Sequence, residues 1–246
     1  MRLASLIRPL NALFKAAIKR TPLGWYIIAA RRANERANEV RQWTPQDAAT
    51  AEFYKQFLRS GDLVFDVGAN IGNRVKIFLR LGCSVVAVEP QVPCRSVLRR
   101  AFGRQITIVP KALAEKIDST LMHIAEFDTM SSMSPEWMTN TIQSGRFSAQ
   151  IWTRTATVKT TTLDVLCKEY GSPAFTKIDV EGSEACVIRG LTHPVPALSF
   201  EFVPEYMQGA VACVEHLNSI AVYSFNFSIE ESMKMELARW VSASDV

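Results

Sequence analysis

The 246-residue chain has few of the residue patterns that mark disulfide-bonded or zinc-binding proteins. It contains five cysteines, an odd number, and no two of them form a C-x-x-C pair. This cysteine usage argues against a disulfide framework and a zinc site, and it fits a reducing cytoplasm. The chain also lacks internal repeats and low-complexity tracts, which indicates an ordinary globular protein.

Strong charge and long apolar runs are missing as well. The net charge of +4 is too small to suggest a nucleic-acid partner. The apolar run at residues 23–30 is too short to span a bilayer, and Arg8 and Lys15 interrupt any apolar core of a signal peptide. With 48% hydrophobic and 21% charged residues, the sequence predicts a cytoplasmic globular protein.

Residues 1–43 differ from the rest and are predicted to form a basic, amphipathic helical extension of a domain at residues 44–246. No acidic residue precedes Glu35. Thr44, followed by a proline, is expected to cap the first helix of the domain. The extension either makes peripheral contact with an anionic membrane or docks on its own domain. Its apolar residues recur at helical spacing: Leu3, Ile7, Leu10, Phe14 and Ile18.

Residues 63–72 form the most informative segment, an apolar run that ends in an acid and opens into glycines. This order predicts a buried parallel strand, a tight turn and the start of a helix, with Asp66 near the carboxyl end of the strand. Gly68 and Gly72 have no Cβ, so the backbone can pass close to a ligand. Asn70 replaces the second glycine of the dinucleotide fingerprint G-x-G-x-x-G, so a nucleoside without a pyrophosphate fits better.

A second apolar strand at residues 85–90 ends in Glu89, which is placed to accept hydrogen bonds from ribose hydroxyls. Asp66 and Glu89 on adjacent strands suit a nucleoside that also carries an amino acid and a sulfonium, as S-adenosyl-L-methionine does. The alternative is an ordinary α/β core in which these polar residues only cap helices.

The rest of the chain continues the alternation of strands and helices. Helices are predicted at residues 73–79 and 92–102, and this β-α-β-α-β order indicates parallel strands. Residues 110–162 break the pattern and predict an excursion over the carboxyl edge of the sheet, with strands at 119–125 and 156–161. The remaining strands, expected at 175–180, 197–202, 222–229 and 233–240, complete a seven-stranded sheet with one antiparallel edge strand.

Three segments together resemble the FkbM family of S-adenosylmethionine-dependent methyltransferases: residues 65–72, 88–90 and 177–184. The last, Lys-Ile-Asp-Val-Glu-Gly-Ser-Glu, is the most specific. The resemblance runs from about residue 45 to about residue 230. It implies an α/β fold of the Rossmann-like class I methyltransferase type, with helices on both faces of a mostly parallel, seven-stranded sheet, and methyl transfer to an oxygen. It also implies a cofactor site formed by Asp66, Gly68, Asn70, Gly72 and Glu89.

The candidate catalytic residues are three acids, Asp179, Glu181 and Glu201, at the carboxyl ends of two strands expected to be neighbours. A carboxylate can orient and partly deprotonate the hydroxyl that receives the methyl group. Alternatively, the acids hold a divalent metal ion that lowers the pKa of the hydroxyl. A third interpretation is that Glu181 and Glu184 only stabilise a helix N-terminus.

These patterns predict an O-methyltransferase that acts on a small molecule or a glycan. The first rival is a non-catalytic binding module of the same fold, tethered by its N-terminal helix. The second is a nicotinamide-dependent oxidoreductase, which Asn70 in the turn disfavours. The fold and the cofactor turn leave the acceptor undetermined.

Overall fold

The computed structural model of the chain describes residues 21–125, 130–145 and 152–246. The amphipathic pattern predicted within the first 20 residues lies outside the described residues. The α-helices of the described chain are α1 (Pro22–Arg41), α2 (Pro45–Tyr54), α3 (Asn73–Arg80), α4 (Val92–Phe102), α5 (Pro135–Gln143), α6 (Leu163–Tyr170), α7 (Glu184–Ile188) and α8 (Met207–Ile220). Its strands are β1 (Leu63–Val67), β2 (Ser84–Val88), β3 (Ile106–Val109), β4 (Ala112–Leu113), β5 (Ser119–Ala125), β6 (Trp152–Thr161), β7 (Phe175–Ile178) and β8 (Leu198–Phe200).

The core is a five-stranded sheet in the order β3-β2-β1-β7-β8, and every pair of neighbours is parallel. Its central strands are mainly apolar because helices cover both faces of the sheet. Val64 of β1 packs in one apolar cluster with α3 and α4. Phe65, the next residue, packs in a second cluster with α6, α7 and α8. The expected α/β fold with helices on both faces is therefore confirmed.

The expected count of seven strands is wrong. Residues 222–229 and 233–240 form no strand. Phe225 makes an isolated antiparallel bridge with Val241, and the Glu236 N–H donates to the Phe227 carbonyl at 2.9 Å. The side chain of Asn226 takes the place of strand pairing, since its Oδ1 accepts from the Leu237 N–H at 3.0 Å and its Nδ2 donates to the Leu237 carbonyl at 2.9 Å. Alternating apolar residues do not by themselves determine whether the backbone of a segment pairs with a neighbour.

Residues 110–162 form a small second sheet, in the order β4-β6-β5, together with α5. Both predicted strands are present, and β6 begins earlier than expected, at Trp152. Helix α5 was not predicted; Ser134 caps it, and its residue Trp137 is buried. The Ser132 hydroxyl donates to the Glu181 carbonyl at 2.6 Å, so this excursion lies at the carboxyl edge of the main sheet, as expected.

Helix α1 docks on α4. Its residues Ala33, Ala37 and Val40 are buried in the same apolar cluster as α4, and Arg41 Nε donates to the Ala101 carbonyl at 2.9 Å. Thr44 caps α2 with a capping box, as predicted. No helix within the described ranges is long and apolar enough to cross a membrane.

Candidate functional site

A cleft opens at the carboxyl edge of β1, β2 and β7. The chain runs from β1 to β2 and β3 on one side and returns to β7 and β8 on the other, so the cleft lies at the point where the strand order reverses. Open parallel sheets bind their ligands at this position. The cleft is lined by the glycine turn, the end of β2, the end of β7, the small sheet and the C-terminal segment, through residues that include Asp66, Gly68, Asn70, Arg74, Glu89, Gln91, Met133, Lys177, Asp179, Glu181 and Glu231.

Hydrogen bonds connect the glycine turn to the end of β2. The Gly68 and Ala69 N–H groups donate to the Val88 carbonyl at 3.0 and 3.1 Å. The Asn70 N–H donates to Glu89 Oε2 at 2.9 Å, and the Gln91 N–H donates to Glu89 Oε1 at 2.7 Å. Buried Glu89 also lines the cleft, so the carboxylate that holds the turn is placed beside any ligand bound there.

Two glycines of the turn bring its backbone close to other parts of the protein. Gly68 has a φ of +76°, and a Cβ there would lie 1.8 Å from the Asp179 carbonyl oxygen. Gly72 has a φ of +101°, and a Cβ there would lie 2.4 Å from the Phe102 ring. Gly68 therefore lets the turn pack against the loop that follows β7, whereas Gly72 lies outside the cleft lining and lets α3 start close to α4.

Asp66 is fully buried beside the cleft, and neither of its carboxylate oxygens accepts a hydrogen bond from the described residues. Lys177 Nζ lies 3.7 Å from Asp66 Oδ1 and donates to Asp179 Oδ2 at 2.8 Å. Burial raises the pKa of Asp66, and the charge of Lys177 opposes this shift only in part. Burial also lowers the pKa of Lys177, but Asp179 and Asp66 outweigh it, so Lys177 stays charged.

No role for Lys177 was predicted from the sequence. The available signal was its position inside an apolar strand, because a buried lysine requires a negatively charged partner.

The structure brings the three candidate catalytic acids together. Strand β7 pairs with β8, as expected, and Ile178 lies opposite Phe200, so the residues that follow, Asp179 and Glu201, are neighbours. One carboxylate oxygen each from Asp179, Glu181 and Glu201 lies within 4.8 Å of the others. This spacing suits a shared proton, a bound hydroxyl or a single cation.

The three acids have different pKa values. Burial favours the protonated form of Asp179, but the charge of Lys177 and the hydrogen bonds with Glu201 and Lys177 together outweigh burial and keep the pKa of Asp179 below normal. Burial and the charges of Glu201 and Asp179 raise the pKa of Glu181 to about 9. Partial burial, the charge of Asp179 and a hydrogen bond with Asp179 raise the pKa of Glu201 to about 8. At neutral pH, Asp179 is thus ionised beside two protonated glutamates.

Glu184 supports the loop that carries Glu181. Its Oε1 accepts from the Val180 N–H at 2.9 Å and from the Gly182 N–H at 3.3 Å, and both of these donors precede α7. Burial raises the pKa of Glu184 to about 7, although these two hydrogen bonds oppose the shift. Glu181 itself has a φ of 54° and Asn70 a φ of 47°. Positive φ at these residues stores backbone strain on both sides of the cleft.

Comparison with known proteins bears on this site. A family model described as Methyltransferase FkbM domain matches residues 66–225, which is more than half of the chain. The matched region contains every candidate cofactor and catalytic residue. No curated protein matches the chain.

Among solved structures, the chain is similar to the crystal structure of precorrin-6y C5,15-methyltransferase from Geobacter metallireducens GS-15. The TM-score is 0.40 and the identity is 12%, over 77% of this chain and 80% of that one. A likeness this weak bears on neither the activity nor the site residues.

Proposed function

Since the chain belongs to the methyltransferase FkbM domain family, we propose that it transfers a methyl group from S-adenosyl-L-methionine to a hydroxyl oxygen of a small molecule or glycan. The observation that carries this proposal is a pair of buried acids on adjacent strands, Asp66 and Glu89, on the two sides of the glycine turn. A third acid, Asp179, lies ionised in the same cleft.

The residues present fit this cofactor. Glu89 lines the cleft and is a suitable acceptor for ribose hydroxyls. The buried carboxylate of Asp66, whose oxygens accept no hydrogen bond from the described residues, suits the ammonium of an amino acid. The acids that line the cleft favour a cationic sulfonium. Bound S-adenosyl-L-methionine supplies an electrophilic methyl group, and the protein binds and orients the two reactants.

Asp179 is the residue that we propose binds the acceptor hydroxyl. Its carboxylate accepts the hydroxyl proton and aligns the oxygen for attack, while Lys177 keeps it ionised. Protonated Glu201 donates to Asp179 and fixes its orientation. In the alternative mechanism, Asp179, Glu181 and Glu201 hold a divalent cation that lowers the pKa of the hydroxyl, and the cation would favour the ionised form of both glutamates.

Calorimetry with three ligands tests the cofactor assignment. We expect S-adenosyl-L-methionine and S-adenosylhomocysteine to bind and NAD to give no heat of binding, because the Asn70 N–H is already bonded to Glu89 and the turn offers no second glycine to a pyrophosphate. Binding of NAD alone would favour the nicotinamide-dependent alternative.

A screen with methyl-labelled cofactor against cell-envelope sugars and extracted metabolites then tests transfer. Labelled product identifies the acceptor. Cofactor binding without transfer to any acceptor class would favour the non-catalytic module instead.

We also propose that the N-terminal extension contacts anionic membranes. The first turns of α1 expose Leu23, Trp25, Tyr26 and Ile27, and basic residues surround them in the sequence. Aromatic and basic residues together are typical of segments that lie at a membrane interface.

A variant lacking residues 2–20 keeps α1, whose buried face packs on α4. We expect the full-length protein to cosediment with anionic vesicles at low salt. The truncated variant keeps Trp25 and Tyr26 but lacks the five basic residues of the deleted stretch, Arg2, Arg8, Lys15, Lys19 and Arg20, so it should lose most of this binding. Affinity for S-adenosylhomocysteine should be equal in the two proteins. If the full-length protein does not cosediment with anionic vesicles at low salt, the extension does not bind membranes.

A further inference from the structure

Arg74, in the first turn of α3, lines the cleft beside the glycine turn. Its Nη2 donates to both carboxylate oxygens of Glu231, at 2.6 and 2.5 Å. The side chain of Arg74 is 21% exposed, whereas that of Glu231 is 63% exposed. The guanidinium thus belongs to the wall of the cleft, and its partner comes from a surface turn.

The turn that carries Glu231 is held mainly by polar contacts. Gln46 Nε2 donates to the Glu231 carbonyl at 2.9 Å, and the Ser232 N–H donates to the Ile229 carbonyl at 3.1 Å. Glu230 and Met233, which flank this turn, both have positive φ. Exposed ion pairs contribute little to stability, so a carboxylate from a ligand can compete with Glu231 for Arg74.

Asp66 provides the opposite charge nearby. It precedes the glycine turn and Arg74 follows it, and both residues line the same cleft. Both oxygens of Asp66 lack a hydrogen-bond donor among the described residues, although the side chain is fully buried. A buried carboxylate that accepts no hydrogen bond from the described residues, in one cleft with a guanidinium, matches the two charges of an α-amino acid.

We propose that Arg74 binds the α-carboxylate of the cofactor's amino-acid end, that Asp66 binds its ammonium, and that the incoming carboxylate displaces Glu231. This assignment rests on the proposed use of S-adenosyl-L-methionine. The exchange replaces one carboxylate by another, so Arg74 is paired before and after binding. An ammonium bound at Asp66 also favours its ionised form.

Two thioethers test the assignment. S-adenosylhomocysteine carries the amino acid, and 5′-methylthioadenosine lacks it. Calorimetry on Arg74→Gln should show affinity for S-adenosylhomocysteine reduced about 10-fold or more, the scale of a lost charge-assisted hydrogen bond. Affinity for 5′-methylthioadenosine should be unchanged. Glu231→Gln removes the competing charge and should raise affinity for S-adenosylhomocysteine several-fold, again without effect on 5′-methylthioadenosine.

Lys76→Gln is the matched control, because Lys76 lies on the same helix and pairs with Asp47 at 2.7 Å, away from the cleft. It should bind both thioethers like the wild type. The assignment is overturned if Arg74→Gln weakens both ligands equally or neither of them, or if Glu231→Gln leaves the affinity for S-adenosylhomocysteine unchanged.

Should Arg74→Gln fail to fold, Glu231→Gln decides the question alone. A wild type that binds neither thioether overturns the proposed cofactor together with this subsite. A wild type that binds S-adenosylhomocysteine with no sensitivity to either substitution overturns the subsite only.

Discussion

Replacing Asp179 with asparagine should slow methyl transfer about 10²-fold or more, the scale of a general-base contribution, and leave cofactor affinity nearly unchanged. Asparagine keeps the shape of the side chain and removes its charge, so the acceptor hydroxyl loses the group that orients it and takes its proton. Turnover measured under saturating cofactor, with calorimetry for S-adenosylhomocysteine, separates the two effects.

The control for Asp179→Asn must show that the protein still folds, because the substitution leaves Lys177 with only the more distant Asp66 as partner. A melting curve provides this check. Glu115→Gln is a matched change of charge at an exposed ion pair with Arg189 and should leave turnover unchanged. An Asp179→Asn protein that is folded and turns over normally would remove Asp179 from the mechanism.

Glu201→Gln distinguishes the direct mechanism from the metal mechanism. At neutral pH, Glu201 is protonated because of its raised pKa, and glutamine imitates that form. If Asp179 acts directly, Glu201→Gln should retain most of its activity and chelators should have no effect. If the three acids hold a divalent cation, chelators should abolish activity, magnesium should restore it, and Glu201→Gln should raise the magnesium concentration required.

Replacing Glu89 with alanine should weaken binding of S-adenosylhomocysteine by about 1–3 kcal/mol, or roughly 5- to 160-fold. Two causes contribute. The Asn70 and Gln91 N–H groups lose their acceptor, which loosens the glycine turn, and the ribose hydroxyls lose theirs. Calorimetry measures the sum of both effects, and unchanged affinity would show that Glu89 does not contact the cofactor.

A double-mutant cycle with the ligand separates these causes. The 2′,3′-dideoxy analogue of S-adenosylhomocysteine cannot donate hydroxyl hydrogen bonds to Glu89. In the wild type, the analogue should bind more weakly than the parent compound. In Glu89→Ala the difference should largely disappear. If the analogue loses as much affinity in the variant as in the wild type, Glu89 acts only by holding the turn.

Local sequence pattern was sufficient for much of the fold. Helices predicted at residues 73–79 and 92–102 correspond to α3 and α4, because apolar periodicity and the flanking glycines are properties of each segment itself. The parallel strands that end near Asp66 and Glu89 were also predictable, because a strand-helix-strand unit joins parallel strands by a right-handed crossover in nearly all proteins. Asp179 and Glu201 could be expected together for the same reason.

The C-terminal segment shows where local pattern was insufficient. Its alternating residues suit a strand, yet the Asn226 side chain binds the Leu237 backbone and only one bridge forms. Whether the backbone of one segment pairs with that of another depends on the N–H and C=O groups that the second segment offers. The sequence of the first segment does not specify those groups.

The sequence by itself determined the parallel α/β core, the glycine turn and the acids at the ends of its strands, because each follows from neighbours within a few residues. Only the tertiary structure decided that Gly68 makes room for the Asp179 carbonyl, that Lys177 keeps Asp179 ionised, and that Arg74 pairs with Glu231. These contacts depend on distances between separate elements, and Coulomb energies and packing change steeply with such distances.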